Sequence, residues 1–210
     1  MPFGYTGQNQ PNQTVSNSGV FSITDVAELQ SQGKLGGSLE LIESQSVTSA
    51  FCDFTNLPSN YDVLMFQIKQ MKVTTQTNVR LRISNDNGSS YISSGYQYAL
   101  QRGYPSTFTE LKSTSAGEIL LGGDVGTNAV DNFNAYVYMY NANNSGKYTF
   151  FTLQSIWGLA SASIYSLFTF GGGVLPTAEI HNAVRFGEGG FSALSGAEIK
   201  LYGVKQIWVT

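Results

Sequence analysis

Between Asn134 and Tyr140 the side chains alternate strictly: Ala135, Val137 and Met139 are apolar, and Tyr136, Tyr138 and Tyr140 stand between and after them. A repeat of two is the period of a β-strand, whose successive side chains point to opposite faces. The same alternation recurs in Val79, Leu81 and Ile83 against Arg80 and Arg82, in Leu39 and Leu41 against Glu40, and in Ile199 and Leu201 against Lys200 and Tyr202. Each set predicts one core face and one face for solvent or an interface. Turn-forming clusters separate the runs: Pro58-Ser59-Asn60, Asp86-Asn87-Gly88, Asn143-Asn144-Ser145-Gly146 and Gly171-Gly172-Gly173. About nine strands are expected from Ser38 onward, which favours an all-β, antiparallel β-sandwich of jelly-roll type. Neither a βαβ alternation nor an internal repeat competes with that reading.

Residues 1–37 have a different character. The first twenty are polar and loop-like, with Gly4, Gly7, Pro11 and Gly19 among Gln and Asn. Such a segment alone buries too little apolar surface to offset its ordering entropy, so a partner is expected to hold it, the alternative being that it folds back on its own domain. A short helix is expected over 23–32. Ser22 is its N-cap, Asp25 the reciprocal acceptor, and Phe21 and Val26 take the two staple positions. Gly33 ends it. Ile23, Val26, Ala27 and Leu29 give it an apolar side, but a helix of about three turns needs something to dock on. Gly36-Gly37 reads as a hinge. The expected organisation is an arm and docking helix over 1–37, then a sandwich domain over 38–210.

Charged residues are 12% of the 210, about half of the roughly 25% that is usual. The resulting neutral, polar surface suits faces buried against other subunits. With a net charge of −3 and no cluster of Lys and Arg, no nucleic-acid partner is expected, because neutralising phosphates needs a concentrated basic footprint. The stretch from Tyr148 to Ala178 has no charge at all. A membrane span needs about 20 continuously apolar residues, and Thr149, Thr152, Gln154 and Ser155 interrupt this one. Two strands are expected there, and no membrane. Met1 to Gln10 has neither a basic start nor an apolar run, so no secretory leader is expected. The single cysteine, Cys52, permits no internal disulfide and reads as a small buried hydrophobe in a strand with Phe51 and Phe54.

A search for chemistry finds little. His181 is the only histidine, so a nucleophile–His–acid relay could be built only around it. Its alternating neighbours Ile180, Asn182 and Val184 favour an ordinary strand residue instead. One His and one Cys make no usual zinc site. Asp124 and Asp131 are the carboxylate pair that glycoside chemistry could use. Asp86-Asn87-Gly88 resembles the start of a calcium loop but lacks the closing Glu, and a tight turn is expected. No catalytic residue, cofactor or metal is therefore expected. Aromatics are more informative. Tyr91, Tyr96, Tyr98 and Tyr104 cluster, and Tyr136, Tyr138 and Tyr140 share one strand face. Such rows pack in a core, bury against a subunit or stack on sugar rings, and all three readings stay open.

Three segments also carry a resemblance. Residues 79–98, V-R-L-R-I-S-N-D-N-G-S-S-Y-I-S-S-G-Y-Q-Y, resemble a strand-turn-strand module of tailed-phage structural proteins, many from aquatic hosts. Residues 19–37, G-V-F-S-I-T-D-V-A-E-L-Q-S-Q-G-K-L-G-G, look like the helix-and-glycine segment near the start of phage fibre and other virion proteins. Residues 170–186, F-G-G-G-V-L-P-T-A-E-I-H-N-A-V-R-F, are similar to such proteins as well. The resemblance implies a non-enzymatic virion protein assembled in the host cytoplasm. It would be a fibre-type tail or neck appendage, or alternatively a head decoration protein or a module that binds host glycans. Other virion proteins as partners follow from the same resemblance. Self-association is expected from the low charge and the alternate tyrosines, with the resemblance implying a homotrimer, and possible contact with a host glycan is expected from the tyrosines. Candidate assembly or glycan contacts are Phe3 and Tyr5 in the arm, Phe21, Val26 and Leu29 around the helix, and Tyr136, Tyr138 and Tyr140 in the sandwich.

Overall fold

A computed structural model describes residues 38–48, 50–128, 131–159, 166–191 and 194–205. The expected arm, helix and hinge lie outside them, and with them Phe3, Tyr5, Phe21, Val26 and Leu29. The chain divides at Glu40/Leu41, and the unit that follows carries the architecture. Among the described residues every regular element is a strand. In chain order they are β1 (Leu39–Val47), β2 (Phe51–Phe54), β3 (Val63–Val73), β4 (Thr77–Ser84), β5 (Tyr96–Tyr104) and β6 (Thr107–Ala116). They continue as β7 (Ile119–Val125), β8 (Phe133–Tyr140), β9 (Thr149–Trp157), β10 (Leu167–Leu175), β11 (Ala183–Glu188) and β12 (Leu194–Val204).

These strands form two antiparallel sheets. The larger has the order β1-β12-β3-β8-β9-β10-β5-β6, and the smaller β2-β11-β4-β7. The chain passes from one sheet to the other at nearly every connection. The hairpins β5–β6 and β8–β9–β10 are the exceptions, and they widen the larger sheet beyond β8. The two sheets share one hydrophobic core. Phe54, Phe66 and Phe186, from β2, β3 and β11, meet there with ring centroids 5.0 to 6.3 Å apart. Phe133 and Trp157 continue it under the widened half, 5.8 Å apart.

Most of the alternating runs face as expected. Val79, Leu81 and Ile83 are buried, as are Ala135, Val137, Met139, Ile199 and Leu201. Cys52 is buried in β2, and burial pushes its thiol up to about 12. The uncharged stretch after Tyr148 supplies β9 and β10, and no described helix is long and apolar enough to cross a membrane.

Four expectations are corrected. The described residues hold twelve strands rather than about nine; the hairpin joining β5 and β6 turns in two residues, Pro105 and Ser106, too short to register as a loop. Leu39 and Leu41 are exposed at the start of β1, whose other end enters the core at Val47. Gly171-Gly172-Gly173 is no turn but the middle of β10, paired on both sides. A Cβ on Gly171 would lie 2.4 Å from the Ala99 carbonyl oxygen, and one on Gly172 2.7 Å from that of Phe151. Glycine here permits close strand approach. Finally, His181 lies in the connection before β11, not on a strand.

Candidate functional site

Three places have residues of the kind chemistry requires, and each is internally satisfied. His181 is the first. Its Nδ1 lies 2.8 Å from the Thr149 hydroxyl and its Nε2 3.2 Å from a Glu179 carboxylate oxygen. A hydroxyl, an imidazole and a carboxylate in series are the parts of a nucleophile relay. Thr149 is 0% exposed, however, and His181 1%, so no substrate can reach the hydroxyl. Burial lowers the imidazole pKa against the opposing pull of Glu179. The group is a buried polar network, with His181 N–H donating to Ala142 and Asn182 N–H to Ser84.

Asp86 is the second. Its carboxylate accepts from the hydroxyls of Ser84 and Ser90 and from the Ser90 amide, which holds it down to about 2. Asn87, with φ +59°, donates its amide to Asn182 and accepts that of Asn56. The turn therefore ties three connections together, and its oxygens are already engaged. No group of three His, Cys, Asp or Glu side chains suited to a metal occurs among the described residues.

The third is the carboxylate pair. Asp124 is ion-paired with Arg102 at 3.2 Å, and Asp131 accepts from the amide and side chain of Asn128. Asp131 is also buried. Each has a structural partner.

The two outward sheet surfaces differ sharply in charge. On the smaller sheet, Arg185 makes a bidentate pair with Asp53 at 2.7 and 2.6 Å, between the rings of Phe51 and Tyr91. Arg82 donates from Nε and Nη2 to one carboxylate oxygen of Glu118, whose other oxygen accepts from Arg80. That surface is laced with mutually neutralised charge.

The middle of the larger sheet presents the opposite, with charge on the strands that flank it: Lys69 on β3, Glu198 and Lys200 on β12, and Glu110 and Lys112 on β6. Outward positions are Tyr136, Tyr138 and Tyr140 on β8, and Phe150, Thr152, Gln154 and Ile156 on β9. They continue as Phe168, Phe170, Gly172 and Val174 on β10, and Gln97, Ala99, Gln101 and Gly103 on β5. With Asn134, none carries a charge. Their registers form cross-strand rows. Tyr136, Gln154, Phe170 and Gln101 lie side by side, as do Ile156, Phe168 and Gly103. Phe168 leans across Gly103, where a Cβ would lie 2.2 Å from its ring, and meets Phe108 of β6 edge-on at 5.8 Å. Phe168 and Phe170 stack at 6.2 Å, Tyr138 and Tyr140 at 6.4 Å. Phe108, Tyr136, Phe150, Ile156 and Phe170 are all exposed. An open trough of about 580 Å³ runs beside them, lined by Gln97, Ala99, Lys112, Gly172 and Val174 among others.

Comparison with protein-family models, with curated proteins and with solved structures finds no match.

The tyrosines singled out from the sequence thus separate. Tyr96 is a core residue; Tyr136, Tyr138 and Tyr140 point outward together. The phenylalanines that complete the outer surface were not legible beforehand. In the run from Phe150 to Trp157 both faces mix large apolar and polar side chains, so alternation does not announce which one meets the core.

Proposed function

We propose that this chain is a non-enzymatic structural component of a tailed-phage virion. On this reading it is a surface-displayed jelly-roll module anchored by its first 37 residues, of the fibre type at tail or neck. The observation that carries the assembly role is the exposed, aromatic and uncharged band that β8, β9, β10 and β5 form in the middle of the larger sheet, bordered by Lys69 and Lys200 on one side and by Glu110 and Lys112 on the other. Exposed apolar area of that extent marks interaction surfaces.

The jelly-roll reading rests on strand order. Without the two inserted hairpins, β5–β6 and β9–β10, the sheets reduce to β1-β12-β3-β8 and β2-β11-β4-β7. This is the nesting of two Greek keys, in which each strand faces its sequence neighbour across the core. The virion reading rests on the resembling segments. Two of them are far apart in sequence yet form one corner: Asn87 of the first bonds Asn182 of the second, and Ser84 pairs with Ala183. Occupied partners at His181, Asp86, Asp124 and Asp131 support a structural over a catalytic role.

A chain lacking residues 1–37 tests the reading. It is expected to keep its β-type circular dichroism and to lose incorporation into particles, and full incorporation would end the anchoring role. A particle map then separates the positions: contacts with capsid subunits mean head decoration, and contacts with portal, neck or tail proteins mean an appendage. The trough beside exposed aromatics favours a second reading, host-glycan binding, which binding to immobilised oligosaccharide would reveal.

A further inference from the structure

We infer that the outward surface of β8, β9, β10 and β5 is a self-association face, covered by the same face of a second copy of this chain. The inference rests on the assembly reading and names the partner at that site. Three observations carry it.

The first is the kind of polar group present. Gln67, Gln101, Gln154, Thr152 and the outward tyrosines each both donate and accept. Two such bonds already form within the face, Gln67 to Tyr136 at 3.2 Å and Tyr140 with Thr152 at 3.0 Å. A group that both donates and accepts can satisfy its own copy across a two-fold axis, whereas a charge cannot. Pairing the face with itself therefore sets no like charges together along its four central strands.

Size is the second. Strands about 4.8 Å apart and a rise of about 3.3 Å per residue give four strands of seven residues roughly 19 by 23 Å. Adding β3 with Met65 and Gln67 on one side and β6 on the other extends the width to about 29 Å, and β6 brings the mutually paired Glu110 and Lys112 beside Phe108 to the rim of the face, where charge is usual in an interface. The projected area is then about 670 Å², and accessible area exceeds projection. That approaches the roughly 800 Å² that each partner contributes to a stable complex.

Shape is the third. The aromatic ridge of Tyr136, Phe150, Ile156, Phe168 and Phe170 lies beside a trough whose floor has almost no side chains, Gly172 and Ala99. Turning one copy over a two-fold axis sets ridge against trough in both directions at once. Such pairing is two-fold, so a trimer would need a second contact elsewhere.

The test uses the full chain and two outward substitutions, Gln154→Lys and Phe170→Glu, neighbours in one row of the face. Both sites are exposed, and circular dichroism checks folding. By sedimentation equilibrium the native chain is expected to associate below about 100 μM, and each variant to dissociate at least about 100-fold more readily. An equimolar mixture of the two variants should associate again, because opposite charges then meet; a misfolded variant would not rescue its partner. A native chain that stays monomeric at about 100 μM, or association unchanged in both variants, overturns the inference. A monomer that binds immobilised oligosaccharide and loses it in Phe170→Glu replaces the second copy with a glycan. Particle incorporation of the monomeric variants is scored separately: if it persists, the assembly role stands without self-association.

Discussion

The Tyr96 phenol accepts the backbone N–H of Ile83 at 2.9 Å and donates to the Ile92 carbonyl at 3.1 Å, linking β5 of the larger sheet to β4 of the smaller. Ile83 lies beyond the last residue at which β4 pairs with β7, so its amide has no strand partner on that side. A side chain from the opposite sheet completes the ladder. Tyr96 is fully buried, and burial pushes its hydroxyl up to about 12.

Tyr96→Phe removes one oxygen and leaves a buried N–H unpaired. The expected loss is about 1–3 kcal/mol, from the desolvation penalty of an unsatisfied amide. Urea unfolding measures it, with an unchanged slope showing that the fold itself is kept. A change below about 0.5 kcal/mol would mean that water takes the place of the phenol.

His181 predicts a weakening of the fold in mild acid. Its folded pKa is lowered from 6.5, chiefly by burial, so the unfolded chain takes up the proton first. Stability from this group is complete above 6.5 and falls as the pH drops below it. Thermal melts between pH 7.5 and 5 are expected to slope downward, and His181→Gln to flatten that slope while lowering stability at pH 7.5. Asp86 acts in a separate window, since its depressed pKa loses stability only between 3.8 and about 2.

Gly171 should not tolerate even a methyl group. Its φ is +145°, and a Cβ would lie 2.4 Å from the Ala99 carbonyl oxygen and 2.9 Å from Leu100 Cα. Gly171→Ala is expected to cost at least about 2 kcal/mol, from backbone strain and lost β10–β5 pairing. Gly146 is the control. Its Cβ would meet only Asn144 Oδ1 at 3.5 Å, so Gly146→Ala should stay within about 0.5 kcal/mol. Chemical denaturation of both variants makes the comparison.

Changing the carboxylates should alter stability and no activity. Asp131→Asn weakens a buried acceptor of two Asn128 hydrogen bonds and is expected to cost about 1–3 kcal/mol. Asp124→Asn keeps an acceptor but removes the counter-charge of the buried Arg102 guanidinium, and is expected to cost about 1–3 kcal/mol. Purified native chain incubated with host polysaccharide is expected to release no reducing ends. Release that disappears in either variant would overturn the structural role.

Alternation in the sequence determined the class of fold and, at Val79–Ile83, Ala135–Met139 and Ile199–Leu201, which side chains enter the core. The reason is geometric: with a period of two, one face of a half-buried strand must be apolar. The same pattern at Leu39 and Leu41 points to no core, while Val47 of the same strand is buried; how far along a strand the core reaches is decided by the tertiary arrangement. Glycine carried a similar ambiguity. A run of three permits either a turn or a close approach of strands, and the backbone of β5 and β9 on each side of Gly171–Gly173 decided between them. Tyr138 was legible as a strand residue, but its outward direction beside Phe150 and Phe170 was not. Which strands become neighbours is set by contacts remote in sequence, and those contacts alone gathered the uncharged positions of four strands into one face.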